Sequence, residues 1–201
     1  MSIDALIFDI GNVLVPFDWR PAETRLSSRC TNFSGAAGAE FRKEIRRLDL
    51  GELTGEELSS IAKSMIGFLG DHAEFVALWN SIFSANPAME RTVADLKGRY
   101  PLFLISNISD LHLAYLRQNY DVFGHFADGV YSFRVKCAKP DRKIFEIAVK
   151  QFGVNPATTA FVDDLAVNVH SATEAGLNAI QYDVKHHEAF EKAFGDLGVK
   201  V

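Results

Sequence analysis

Four short stretches of the chain hold residue types that can do chemistry. Asp9 lies in IFDIGNVLV (7–15), where apolar residues lead to a carboxylate and then to a turn of Ile10, Gly11 and Asn12. Ser106 and Asn107 close PLFLIS (101–106) and open the chain that follows it. Lys139-Pro140 precedes a helical pattern, and Asp163-Asp164 ends TAFVDD (159–164). Each has a plain structural explanation when taken alone. An aspartate after a strand caps a turn, Ser-Asn ends a strand, and an acidic pair suits a helix N-terminus. Taken together they offer three carboxylates, a hydroxyl and an ammonium. Crowded carboxylates repel one another and are satisfied by a hard divalent cation. Mg²⁺ takes one or two carboxylates plus carbonyls and waters, and completes its shell with substrate phosphate. A lysine and a serine beside it hold phosphoryl oxygens.

The elements that would position these residues can be picked out by pattern. Five short apolar or β-branched runs predict strands: 5–10, 101–106, 129–133, 159–164 and 178–182. Such unbroken runs fit strands buried on both faces. Segments 111–119, 141–152 and 166–175 carry apolar residues at helical spacing between the later strands. Strand and helix in alternation imply right-handed crossovers and a parallel sheet, so the fold class expected is α/β and Rossmann-like. In such a sheet ligands bind beyond the carboxyl ends of the strands, where Asp9, Ser106 and Asp163-Asp164 all fall.

The stretch from 16 to 90 differs. It shows helix signals only, among them Thr54 with Glu57 three residues on, a capping box. It is far longer than a strand-to-strand crossover needs. A helical cap domain over 16–90 is expected, inserted into a core formed by 1–15 and 91–201. The basic residues Arg42, Lys43, Arg46 and Arg47 fall at helical spacing and read as a solvated face of that cap. Trp19 and Arg20 sit at its entrance. His186-His187 reads as a solvated turn.

Bulk properties narrow the partners. The chain has 201 residues, 48% of them hydrophobic, and a formal net charge of -5 with no Lys/Arg-rich run to offset it. Nucleic acid and anionic membranes are therefore not expected partners. Cys30 and Cys137 are far apart and in no metal-binding spacing, which points to a reducing compartment. No signal peptide and no membrane-length apolar run is evident, so a cytoplasmic protein, monomer or homodimer, is expected.

The ordered set FDIGNVL, LISN, AKPDRKIF and FVDDLAVNVHSATEAG resembles the four motifs of the haloacid dehalogenase-like hydrolase superfamily, and the insert after the first resembles its first cap class. The D-x-G-N-V form, with the cap stretch RRLDLGELTGEEL, is similar to a subgroup that includes α-D-glucose-1-phosphate phosphatase. The resemblance implies a Mg²⁺-dependent phosphomonoesterase acting on a small phosphorylated metabolite, a sugar phosphate above all. It implies that Asp9 attacks phosphorus and becomes an aspartyl-phosphate. Asp9 and the carbonyl of Gly11 would ligate the metal, with Asp164 direct and Asp163 through water, or the two exchanged. Ser106 and Lys139 would bind the transferred phosphoryl, helped by the Asn107 amide.

One position departs from the common pattern. A second aspartate usually stands two residues after the nucleophile, protonates the leaving group and later activates water. Here that position is Gly11. General acid–base help is worth about 10²–10⁴-fold. Three explanations stay open at this point: a leaving group that needs little protonation, substitution by Asp18, the only nearby carboxylate after the first motif, or a catalytically weak relative that binds a ligand or protein; the resemblance to a phosphatase subgroup with the same glycine argues for the first. A 2-haloacid dehalogenase also uses an aspartate nucleophile, but needs no metal, and the Asp163-Asp164 pair argues against it.

Overall fold

The computed structural model describes residues 2–200. Its five strands are β1 (Ala5–Phe8), β2 (Leu102–Ser106), β3 (Asp128–Tyr131), β4 (Thr159–Asp163) and β5 (Asn178–Gln181). They form one parallel sheet in the order β3-β2-β1-β4-β5, the α/β Rossmann-like class expected. Leu6 of β1 lies opposite Leu102 of β2 on one side and Ala160 of β4 on the other. The chain adds strands outward from β1 to β3, then jumps back across β1 to β4. The direction of winding thus reverses beside β1, and a crevice opens there at the carboxyl ends.

Side chains of a strand alternate between faces. Leu6 and Phe8 pack with α5 (Pro87–Leu96), α6 (Asp110–Asn119) and α10 (His187–Asp196), through Met89, Val93, Leu113, Leu116, Phe190 and Phe194. Ala5 and Ile7 face α8 (Arg142–Phe152) and α9 (Ala166–Glu174), meeting Ile144, Phe145, Ala148 and Ala172. This double burial is why the strand sequences are continuously apolar. A one-turn helix, α7 (Ser132–Val135), follows β3.

Between β1 and α5 lie α1 (Trp19–Ser28), α2 (Gly35–Asp49), α3 (Gly55–Ile66) and α4 (His72–Asn80). They share their own apolar cluster, built on Leu26, Phe41, Leu48, Leu58, Phe75 and Trp79. Thr54 starts α3 as its sequence suggests: its hydroxyl accepts from Glu57 N, and the Glu57 carboxylate accepts from Thr54 N at 2.7 Å. The chain enters and leaves this four-helix unit side by side. Phe17 and Phe83 form an antiparallel bridge, flanked by Asp18 N to Ile82 O and Ser84 N to Pro16 O, both 2.9 Å.

Two surface expectations resolve differently. Arg42, Lys43, Arg46 and Arg47 are indeed exposed, but Arg42, Lys43 and Arg47 pair with Glu23, Glu40 and Glu44. His187, expected in a solvated turn, is instead half-buried: it bonds the Tyr182 hydroxyl through Nδ1 and Thr92 through Nε2, each at 3.1 Å. Its ring packs against Tyr182 and Phe190, the first turn of α10 fastened to the sheet.

Candidate active site

Asp9 lies one residue beyond β1, in a turn folded on a single acceptor: Leu14 N and Val15 N both donate to Ile10 O. Asn12 holds the left-handed backbone at φ 54°, a conformation that asparagine tolerates better than most residues. Its side chain then bridges two segments. Nδ2 donates to Asp164 Oδ2 at 3.0 Å, and Oδ1 accepts from Phe17 N at 3.3 Å. The loop that carries Asp9, the end of β4 and the entry to α1 are thereby tied together.

The dispersed motif residues do meet. Lys139 Nζ, almost wholly buried, lies 2.8 Å from Asp9 Oδ1 and 2.6 Å from Asp163 Oδ2, and donates to Ile105 O at 3.1 Å. Asp163 has no solvent exposure. Besides Lys139, its carboxylate accepts from Leu165 N at 2.9 Å and from Asn168 Nδ2 at 2.9 and 3.1 Å. Asp164 is less committed, since only one of its oxygens takes the Asn12 bond. Ser106 ends β2 with its hydroxyl beside Asp9. The Asn107 side chain is engaged within the site. Both ends of its carboxamide go to Lys139: Nδ2 donates to Lys139 O and Oδ1 accepts from Lys139 N, each at 2.8 Å. Its side chain thus holds the lysine's loop in place.

The electrostatics follow from crowding. Burial pushes Asp9 up to about 6, against the pull of Lys139 and with added repulsion from Asp163. Burial works against the Lys139 ammonium, but Asp9 and Asp163 together outweigh it and hold its pKa above the ordinary value. Burial also raises Asp164, despite the bond from Asn12. One ammonium faces three carboxylates, so the site is short of positive charge. An oxygen from each of Asp9, Asp163 and Asp164 lies within 4.8 Å of the others. An all-oxygen, net-negative donor set of this size fits Mg²⁺.

A cleft of about 140 Å³ opens above this floor, bounded by Gly11, Phe17, Ser106, Asn107 and Ile108 on the core side and by Trp19, Asp49 and Trp79 on the helical side. A second cavity, about 260 Å³, continues into the four-helix unit between Leu26, Phe33, Phe41 and Leu78, and shares Trp19, Ile45, Asp49 and Trp79 with the first. Of the entrance pair, Trp19 lines both, whereas Arg20 turns to solvent and pairs with Asp18 at 2.7 Å. Asp18 is the N-cap of α1 and accepts from Arg20 N, which occupies the carboxylate considered above as a substitute acid.

Three residues of the cleft escaped motif reasoning. Trp79 is buried, and its indole N–H has no partner among the described residues. His112 stacks on Trp79 and holds Trp79 O through Nε2 at 3.3 Å, and burial pushes its pKa down to about 4. Asp49 ends α2 between Leu48 and Leu50, and that pairing of a carboxylate with flanking leucines at a helix end was its only sequence signal.

Residues 3–176 match the haloacid dehalogenase-like hydrolase family, so the chain belongs to that family and is a hydrolase by class. It is 29% identical over 185 residues to a sesquiterpene phosphatase of Aspergillus oryzae, covering 88% of each chain. It is 23% identical over 193 residues to a D-ribitol-5-phosphate phosphatase of Bacteroides thetaiotaomicron, covering 89% of this chain and 91% of the other. Among solved structures it resembles the magnesium complex of a haloacid dehalogenase family enzyme from Bacteroides thetaiotaomicron. The TM-score is 0.82 at 23% identity, over 92% of this chain and 95% of that one. This last likeness establishes the shared fold.

Proposed function

We propose that the protein is a Mg²⁺-dependent phosphomonoesterase that uses Asp9 as nucleophile. The observation that carries this is the buried Lys139 ammonium lying 2.8 Å from Asp9 and 2.6 Å from Asp163, with Ser106 alongside, at the crevice where the sheet reverses. Two relatives named as phosphatases over most of the chain support it.

In this reading Lys139 and Ser106 hold phosphoryl oxygens, and Asn107 keeps the lysine's loop at the right height. Asp9 attacks phosphorus and carries the phosphoryl until water removes it. Asp9, the Gly11 carbonyl and Asp164 would hold the metal, with Asp163 behind them, locked by Lys139 and Asn168. Bound there, Mg²⁺ would neutralise the charge of carboxylates and phosphate and so bring two anions into reacting distance. The unit Trp19–Asn80 acts as the cap, closing the cleft and keeping water from the phosphoryl until attack is complete.

For substrate, a sugar phosphate follows from the resemblance of FDIGNVL and of the cap stretch. The cavity favours a second reading. Its aromatic and aliphatic walls, interrupted by the Glu23–Arg42 pair and Asp49, suit the phosphate of an apolar alcohol. Both readings are tested by phosphate release from hexose 1-phosphates, pentitol phosphates, isoprenoid monophosphates and 4-nitrophenyl phosphate, with Mg²⁺ or with EDTA. The expected result is Mg²⁺-dependent release, abolished in Asp9→Asn, with kcat/KM highest for one ester class. Release that persists in EDTA or in Asp9→Asn would overturn the phosphatase reading.

A further inference from the structure

We infer that Asp49, carried on the cap, is the general acid and base that this site lacks at position 11. The inference rests on the phosphatase reading above. Gly11 offers a main-chain carbonyl but no proton, and a side chain there has little room, since a Cβ would stand 2.9 Å from the Phe17 ring. Asp49 faces the same cleft as Gly11, Ser106 and Asn107. Among the described residues its carboxylate makes no hydrogen bond and no ion pair, although it is largely withdrawn from solvent. A carboxyl group left without a partner at the mouth of a phosphoryl site is free to exchange a proton with what binds there.

Its position is fixed from behind. Ser132 Oγ, at the start of α7, donates to Asp49 O at 2.6 Å, and Ile108 N donates to the same hydroxyl at 3.0 Å. Two residues on, Gly51 adopts φ +63°, where a Cβ would collide with Phe133 O, and Lys136 bonds Gly51 O. The end of α2 is thus clamped against the loop beyond β3, and Asp49 is held over the cleft when the cap is in this position. Burial pushes the carboxyl up to about 6, within the working range of a group that must both give and take a proton.

The charged and titratable groups around it are Arg46 and Arg47 on its own helix, Glu23 of α1 paired to Arg42, Lys136 beyond α7, and His112 of α6. None of them is within ion-pair distance of its carboxylate.

The steps balance without a further reactant. As Asp9 bonds to phosphorus, the ester P–O bond breaks, its electron pair goes to the leaving oxygen, and the Asp49 carboxyl gives that oxygen its proton. The Asp49 carboxylate then takes a proton from water as the water oxygen bonds to phosphorus. The bond to Asp9 breaks, phosphate leaves, and both carboxyl groups return to their starting states.

The test compares Asp49→Asn with the wild type, full chain and Mg²⁺ present, on phenyl phosphate and 4-nitrophenyl phosphate. The two esters have nearly the same shape, but phenolate is the poorer leaving group. The expected result is a fall in kcat/KM of about 10²-fold or more on phenyl phosphate and less than about tenfold on the nitro ester. The basic limb of the wild-type pH profile on phenyl phosphate disappears in the variant. The variant's unfolding midpoint should not fall below the wild type's, since the replaced oxygen has no partner, and above about pH 6 it should rise, since Asn carries no buried charge. An equal fall on both esters, or no fall on either, would overturn the role. A wild type unable to release phosphate from the nitro ester would instead remove the phosphatase reading beneath it.

Discussion

At the scale of single residues, Lys139 is the centre of the site. It sits between two buried carboxylates, and its removal would leave Asp9 and Asp163 facing each other with no counter-charge. Breaking a buried ion pair from one side costs about 3–5 kcal/mol. Lys139→Ala should therefore lose stability on that scale as well as turnover, as measured by the denaturant midpoint. A loss below about 1 kcal/mol would show that the carboxylates are compensated by other means. Much of this site was legible from residue types, because Asp9, Ser106, Lys139 and Asp163-Asp164 fall at strand ends or just before a helix, and a parallel sheet collects such ends on one edge. Asn107 was legible in place, but its side-chain bonds were not. Nothing in Ser-Asn after a strand shows that the carboxamide will turn onto the main chain of Lys139. Asp49 was not legible, since its relevance depends on how a helix of the insert docks.

At the scale of elements, the join between α4 and α6 matters most. His112 of α6 packs among Trp79, Trp19 and Phe83, and bonds Trp79 O at the end of α4. A carbonyl only accepts, so Nε2 carries a proton in this bond, and burial disfavours a second proton on the ring. Its folded pKa of about 4 lies below the ordinary 6.5. The unfolded chain therefore binds a proton more readily, and the stability His112 contributes is intact above about pH 6.5 and lost as pH falls toward 4. The raised carboxylates Asp9 and Asp49 have the opposite slope, so the His112 contribution is isolated as a difference. His112→Phe should lose less stability than the wild type between pH 6.5 and 4, as followed by urea unfolding at each pH. Parallel slopes would contradict a buried, neutral histidine. The strands and core helices were legible from apolar pattern, and the box at Thr54 from Thr and Glu three apart. The seam was not, since it is built from aromatic residues distant in sequence whose meeting depends on tertiary packing.

At the scale of the whole molecule, the fold joins a rigid floor to a helical roof. The floor is a parallel sheet buried on both faces, and it fixes the charged residues at one edge. The roof is a separate apolar cluster that hangs from the paired segments at Phe17 and Phe83 and supplies the walls of the cavity. Among the described residues no helix is long and apolar enough to cross a membrane. The central claim is that a phosphoryl group passes through Asp9. Its most direct test is to quench the enzyme in acid during turnover of 4-nitrophenyl phosphate with Mg²⁺, digest it, and weigh the peptides. One phosphoryl group on the peptide spanning Asp9, absent when EDTA is added, is the predicted result. Steady turnover with that peptide unmodified, or with the phosphoryl on another residue, would contradict it.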